Sequence, residues 1–204
     1  MIQNFWKYIL IIFLFSSNLK STEYEITILA TNIANFGGIG EWSFSALLES
    51  EEESILFDTG FDENTVLHNA NLLQKDLSRV EKVILSHFHG DHTGGLIKLR
   101  QTYMNTNPKA FSNVYVAEGF FDQRFDENGE LRGFIGGFNK VSDFKKQAED
   151  IGIEFIIIND SYEIAHNLIL SGPVERIFER VVVSPGFYLK ENGLLVEDLL
   201  RDDP

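Results

Sequence analysis

A chain of 204 residues with 44% apolar side chains is long and apolar enough to bury one full core, and it reads as a single domain rather than several. Its net charge of −14 repels phosphate backbones, which excludes a general nucleic-acid partner while leaving a local metal able to draw in an anion. Cysteine is absent, so disulfides, thiolate metal sites and cysteine nucleophiles are excluded, and any metal must be held by histidine and carboxylate.

The chain opens with "MIQNFWKYILIIFLFSSNLKST", in which Lys7 precedes an uninterrupted apolar run at residues 8–15 and a polar stretch follows. Spanning a bilayer takes about 20 residues, so the run is too short for a transmembrane helix and fits the core of an export signal. Residues 1–21 are expected to be that signal, with Leu19 and Ser21 at the −3 and −1 positions in place of an A-x-A pattern. An uncleaved anchor and a buried first strand are the alternatives. The mature domain, residues 22–204, is then expected to be periplasmic or secreted and not stably inserted in a membrane.

Strands and helices alternate from there. Residues 24–32 ("YEITILATN") and 42–49 ("WSFSALLE") alternate apolar and polar side chains as half-buried strands do, with the flexible "FGGIG" between them. A short buried strand, "SILF", ends at Asp58, where Thr59 and Gly60 turn the chain. Residues 63–73 place Val66, Leu67, Ala70 and Leu73 on one helical face, and residues 82–86 form the next strand. Further on come a helix at 95–104, a strand at 113–118, a helix at 140–152 and a strand at 153–158. This alternation predicts an α/β sandwich. Residues 119–140, with five phenylalanines among turn residues, show neither period; they are either a lid over a site or a surface hairpin with its aromatics tucked into the core.

Where the strand at 82–86 stops, "LSHFHGDHTGGL" (residues 85–96) puts His87, His89, Asp91 and His92 within six positions of a chain that has five histidines. The two-residue spacing of His87 and His89 lets both imidazoles face one ion, and Asp91 with His92 can serve a second one close by. Nitrogen and carboxylate oxygen without sulfur favour Zn²⁺, one or two ions, with Mn²⁺ or Fe²⁺ also compatible. His68 lies in the helical pattern of "VLHNANLL" and reads as an ordinary helix residue. His166, the sole histidine after the cluster, sits at the entry to a strand in "YEIAHNLIL".

The run "SHFHGDHTGGL" resembles the His-x-His-x-Asp-His signature of the metallo-β-lactamase superfamily, and "ILFDTG" at residues 55–60 is similar to the strand and turn that precede it there. Within that superfamily, "VLHNANLLQKDLSRVEKVILSHFHGDHTGGL" together with "YEIAHNLILSGPVER" resembles the dihydropterin phosphate synthase-like, methanopterin-pathway group. The resemblance implies an αββα metallo-β-lactamase-like sandwich. It makes His87 and His89 ligands of a first metal, and Asp91 and His92 ligands of a second. Asp91 would also orient the attacking hydroxide, and Asp58 would hold a ligand imidazole in place. As a turn-capping residue before Thr-Gly, Asp58 has a second reading. In the group, the next ligand histidine follows a strand that would come after "VEDLLRDDP", so a C-terminally truncated domain with an incomplete second half is expected; a shortened relative with a reduced site is the alternative.

The activity implied is hydrolysis of a small molecule, with an anionic one among the candidates: a metal-bound hydroxide attacks a carbonyl or phosphoryl centre. Arg124 and Arg132 are either contacts for an anionic substrate or, more commonly for such residues, solvated surface charges. The alternative function is a non-catalytic periplasmic module that binds a metal or metabolite through a degraded site.

Overall fold

The computed structural model describes residues 23–133, 135–173 and 186–198; the expected export signal at residues 1–21 lies outside them. A six-stranded sheet runs in sequence order through β1 (Glu25–Ala30), β2 (Ser45–Glu49), β3 (Ser54–Phe57), β4 (Val80–Ile84), β5 (Asn113–Ala117) and β6 (Glu154–Ile158). The first three strands pair antiparallel, and β3 to β6 pair parallel. The switch follows from the connections. A short loop suffices between β2 and β3, whereas each parallel step needs a crossover.

Helices α1 (Thr65–Leu72), α3 (Leu96–Tyr103) and α4 (Val141–Asp150) make those crossovers, while α2 (Gly90–Thr93) is one short turn. Right-handed crossovers advancing in one direction place all their helices on one face of the sheet. Strand alternation supplies that face with Leu47, Leu56, Val83 and Val114, against which Val66 and Ala70, Leu96 and Leu99, and Phe144 and Ala148 are buried. The opposite face carries Ile55, Ile84 and Tyr115 and is covered by Ile164, Ala165 and Leu170 of the hairpin β7 (Tyr162–Ala165)–β8 (Leu168–Leu170). Each large apolar side chain so buried contributes on the order of 1.5–3 kcal/mol. The α/β sandwich expected from the alternation is the architecture found.

Residues 119–140 are not a detached lid. Phe120 and Ile135 are fully buried in the helix-side core, and Phe121 and Phe138 pack against it, so the tucked-in alternative holds. Phe125 bridges Leu131 on one side and Tyr188 on the other. Tyr188 opens a second hairpin, β9 (Tyr188–Glu191)–β10 (Leu194–Glu197), which the periodicity did not predict. Its four-residue strands are too short and too polar to show a period, but the turn was legible: Asn192 and Gly193 both take positive φ, the preference of an Asn-Gly hairpin.

Candidate metal centre

The cluster sits at the carboxyl ends of the parallel strands, where β3 and β4 open into loops and where α/β sheets place their ligands. Beyond β4 the chain bends through residues 86–88 and is extended again at His89, which leads into α2. Phe88 turns into the core, 1% exposed, while its neighbours His87 and His89 are only half-buried. Their ring centroids lie 4.6 Å apart, and one turn later His92 brings its ring to 4.2 Å from His87. Asp91 lies beside them, with Oδ2 at 3.7 Å from His92 Nε2.

One buried carboxylate organises this group from below. Asp58 takes a left-handed backbone (φ 54°) at the end of β3, with its amide donating to the Ile84 carbonyl at 2.8 Å and its carbonyl accepting from the Ser45 hydroxyl at 2.8 Å. Its side chain accepts from His92 Nδ1 at 2.6 Å, from the Ser86 amide at 2.8 Å and from the Ser86 hydroxyl at 2.8 Å. With its hydrogen committed to Asp58, the Ser86 hydroxyl accepts from His87 Nδ1 at 3.0 Å. Asp58 thereby sets the tautomer of His92 directly and of His87 through Ser86. In both rings Nε2 is left with its lone pair for an electrophile. Asp58 makes these bonds to other loops rather than acting only as a local turn cap.

The electrostatics differ from ring to ring. Burial, followed by the neighbouring His92, His89 and Arg124, holds His87 down to about 3, so it is a neutral donor at physiological pH. Burial also lowers His89. Burial pushes the Asp58 carboxyl up against the pull of His92 and Ser86. For His92, burial opposes the cation, but the bond and charge of Asp58, with Asp91, outweigh it and raise the imidazole.

Close packing holds the two loops in register. Thr59 donates its amide and hydroxyl to the His92 carbonyl at 2.7 and 3.0 Å, and the Gly94 amide donates to Gly60 at 2.9 Å. A Cβ on Gly94 would fall 1.9 Å from the Phe61 carbonyl oxygen, and one on Gly95 2.3 Å from that of Thr59. Those glycines are therefore demanded by the approach of the Asp-Thr-Gly turn rather than by their own φ. Gly94→Ala is expected to lower stability by about 2–3 kcal/mol, the range of backbone-shifting overpacking, as read by urea unfolding. A loss under about 0.5 kcal/mol would show that the loops are not in contact.

The other histidines are elsewhere. His68 is exposed on α1 and donates Nε2–H to the Gly37 carbonyl at 2.7 Å. His166 is exposed in the β7–β8 turn, where its carbonyl accepts from the Tyr24 hydroxyl at 3.3 Å. Arg124 corrects an expectation: it is 2% exposed and not a solvated charge, because its Nε binds the equally buried Asp198 at 2.9 Å and its guanidinium lies 3.8 Å over Phe88. Arg132 is exposed and rests 4.2 Å over the ring of Phe187. Ser86 and Asp198 were missed by sequence reasoning. Ser86 stands next to the first histidine in the quoted run, whereas nothing local marks Asp198.

The donor types suit a divalent metal: three imidazoles gathered on one loop, a neighbouring carboxylate, and a buried acid behind them. His87, His89, Asp91 and His92 are the side chains that could hold it. Among the described residues no group of three or more His, Cys, Asp or Glu side chains is placed, as it stands, to hold a metal ion. The donors are gathered without closing a coordination sphere.

A family model described as the metallo-beta-lactamase superfamily matches residues 43–158. A 7,8-dihydropterin-6-methyl-4-(beta-D-ribofuranosyl)-aminobenzene-5'-phosphate synthase of Methanocaldococcus jannaschii is 28% identical over 194 residues, covering 90% of this chain and 63% of the relative. An uncharacterized protein of the same archaeon is 28% identical over 178 residues, covering 87% of this chain and 63% of the relative. The crystal structure of a metal-dependent hydrolase of the beta-lactamase superfamily matches with a TM-score of 0.63 at 27% identity, covering 89% of this chain and 59% of that one. The chain thus spans less than two thirds of the length of these relatives.

Proposed function

Since the chain belongs to the metallo-β-lactamase superfamily, a metal-dependent hydrolase-like fold, we propose that it is a metal-dependent hydrolase acting on a carbonyl or phosphoryl centre of a small molecule, with zinc held by His87, His89, Asp91 and His92. The observation that carries this reading is the convergence of three imidazoles on one loop, with Asp58 bonded to His92 at 2.6 Å and, through Ser86, to His87. Bound there, zinc would supply Lewis acidity and make water nucleophilic near neutral pH. The chain's own residues have three tasks. His87 and His92 present Nε2 lone pairs, Asp58 keeps their protons on Nδ1, and Asp91 accepts a proton from the attacking water while orienting it. The 28% identical relative is named as a synthase of a phosphorylated compound, which supports an anionic small molecule among the substrates to try. The N-terminal "KYILIIFLF" supports an exported location for this activity.

The second reading is a non-catalytic binding module, favoured by the absence of a closed cage among the described residues. Turnover separates the two. Zinc-loaded protein is expected to hydrolyse an activated ester, a lactone or a nitrophenyl phosphodiester, to lose that activity on chelation and to regain it with added Zn²⁺. Stoichiometric zinc without turnover of any of these would favour the binding module, and turnover that survives chelation would overturn the metal mechanism.

A further inference from the structure

We propose that the buried Arg124–Asp198 pair is a positioning device for the histidine cluster, acting on it through Phe88 and Phe187. The inference rests on the metal reading above, since it concerns how the donors are held.

Arg124 and Asp198 are 2% and 1% exposed and come from segments 74 residues apart. Arg124 Nε donates to Asp198 Oδ2 at 2.9 Å, and its NH1 group donates to the carbonyls of Gly119, Phe120 and Asp122 at 2.9, 3.1 and 2.9 Å. Bonds in two directions fix the plane of the guanidinium, and that plane lies 3.8 Å over the Phe88 ring. Phe88 is the residue between His87 and His89, and its ring is 4.5 Å from the His89 ring. A turn of Phe88 would therefore carry the backbone that presents both imidazoles.

Asp198 supplies the second arm. Its amide donates to the Phe187 carbonyl at 3.0 Å, and the Phe187 ring touches both Phe88, at 5.6 Å, and His89, at 5.3 Å. Guanidinium, two phenyl rings and the His89 imidazole form one packed cluster behind the site, with Phe88 edge-on to both Phe187 and His89. A buried ion pair adds little net stability over apolar side chains of the same volume. Apolar replacements would fill this space, but they would not set the orientation of the plane on which Phe88 rests.

Metal affinity and stability distinguish positioning from simple stapling. The full-length protein and its Arg124→Met/Asp198→Leu variant are titrated with Zn²⁺ against a chromophoric chelator and with Co²⁺ for its visible spectrum, and their metal-free unfolding is compared. The expected result is an unfolding midpoint near the parent's, zinc affinity weakened about 10–100-fold, the range seen when the supports of metal ligands are removed, and a shifted Co²⁺ band. Should that variant not fold, Phe88→Leu removes the ring while keeping the pair and an apolar core, and the same loss of affinity is expected. Parent-like zinc affinity and Co²⁺ spectrum in the folded variant would overturn the proposal, as would an affinity loss that only tracks lost stability. If the parent itself takes up no zinc, the metal reading fails and the proposal with it.

Discussion

The His87→Ala/His89→Ala variant is expected to take up no stoichiometric zinc and to lose hydrolytic turnover about a thousandfold, the scale of the several kcal/mol that a metal contributes to such a reaction. Two of the three gathered imidazoles are removed, and Asp91 with His92 makes too small a donor set to hold an ion alone. The fold should survive, because Phe88 keeps its place in the core while the truncated side chains face the site. Circular dichroism and metal analysis on the same sample check both halves of this expectation; stoichiometric zinc in the folded variant would sink the ligand assignment.

The same substitution carries a pH signature. An unfolded chain takes up a proton on His87 near 6.5, whereas the folded one resists it down to about 3 because burial disfavours the imidazolium. The unfolded state therefore binds more protons throughout that window, and the His87 contribution to stability is lost as pH falls through it. The metal-free variant is expected to lose less stability than the metal-free parent between pH 7 and pH 4.

Arg124→Met alone is expected to cost about 3–5 kcal/mol, because it withdraws the guanidinium from a carboxylate that stays buried and takes a donor from three loop carbonyls. In a domain of this size that lowers the melting temperature by about 10 °C. Adding Asp198→Leu removes the buried charge and should restore most of the loss, so the double variant is more stable than the single one. A single variant melting within about 2 °C of the parent would show that the pair is not desolvated as the structure has it.

Much of the fold was legible because each large element carries its own signal. Val66 and Ala70 recur at helical spacing, Leu56 and Val83 lie in short apolar runs, and these local patterns require only that one face be buried. Boundaries moved by a few residues where the tertiary structure competed. Trp42–Phe44 is apolar enough for a strand, yet the Phe44 amide is drawn to the Asp91 carbonyl at 3.4 Å and β2 begins only at Ser45.

By itself the sequence determined that an α/β fold forms, that no cysteine of this chain can serve as a ligand, and that His87, His89, Asp91 and His92 lie together, since six positions on one loop cannot carry them apart. Only the tertiary structure decided what stands behind them. Asp58 reaches His92 across 34 residues, and Arg124 reaches Asp198 across 74. An arginine in a run of turn residues looks solvated in every local window, because burial of a charge depends on a partner that the window does not contain. Contacts close in sequence are encoded in spacing, whereas those made when distant loops pack exist only once the sheet has brought its strand ends to one edge.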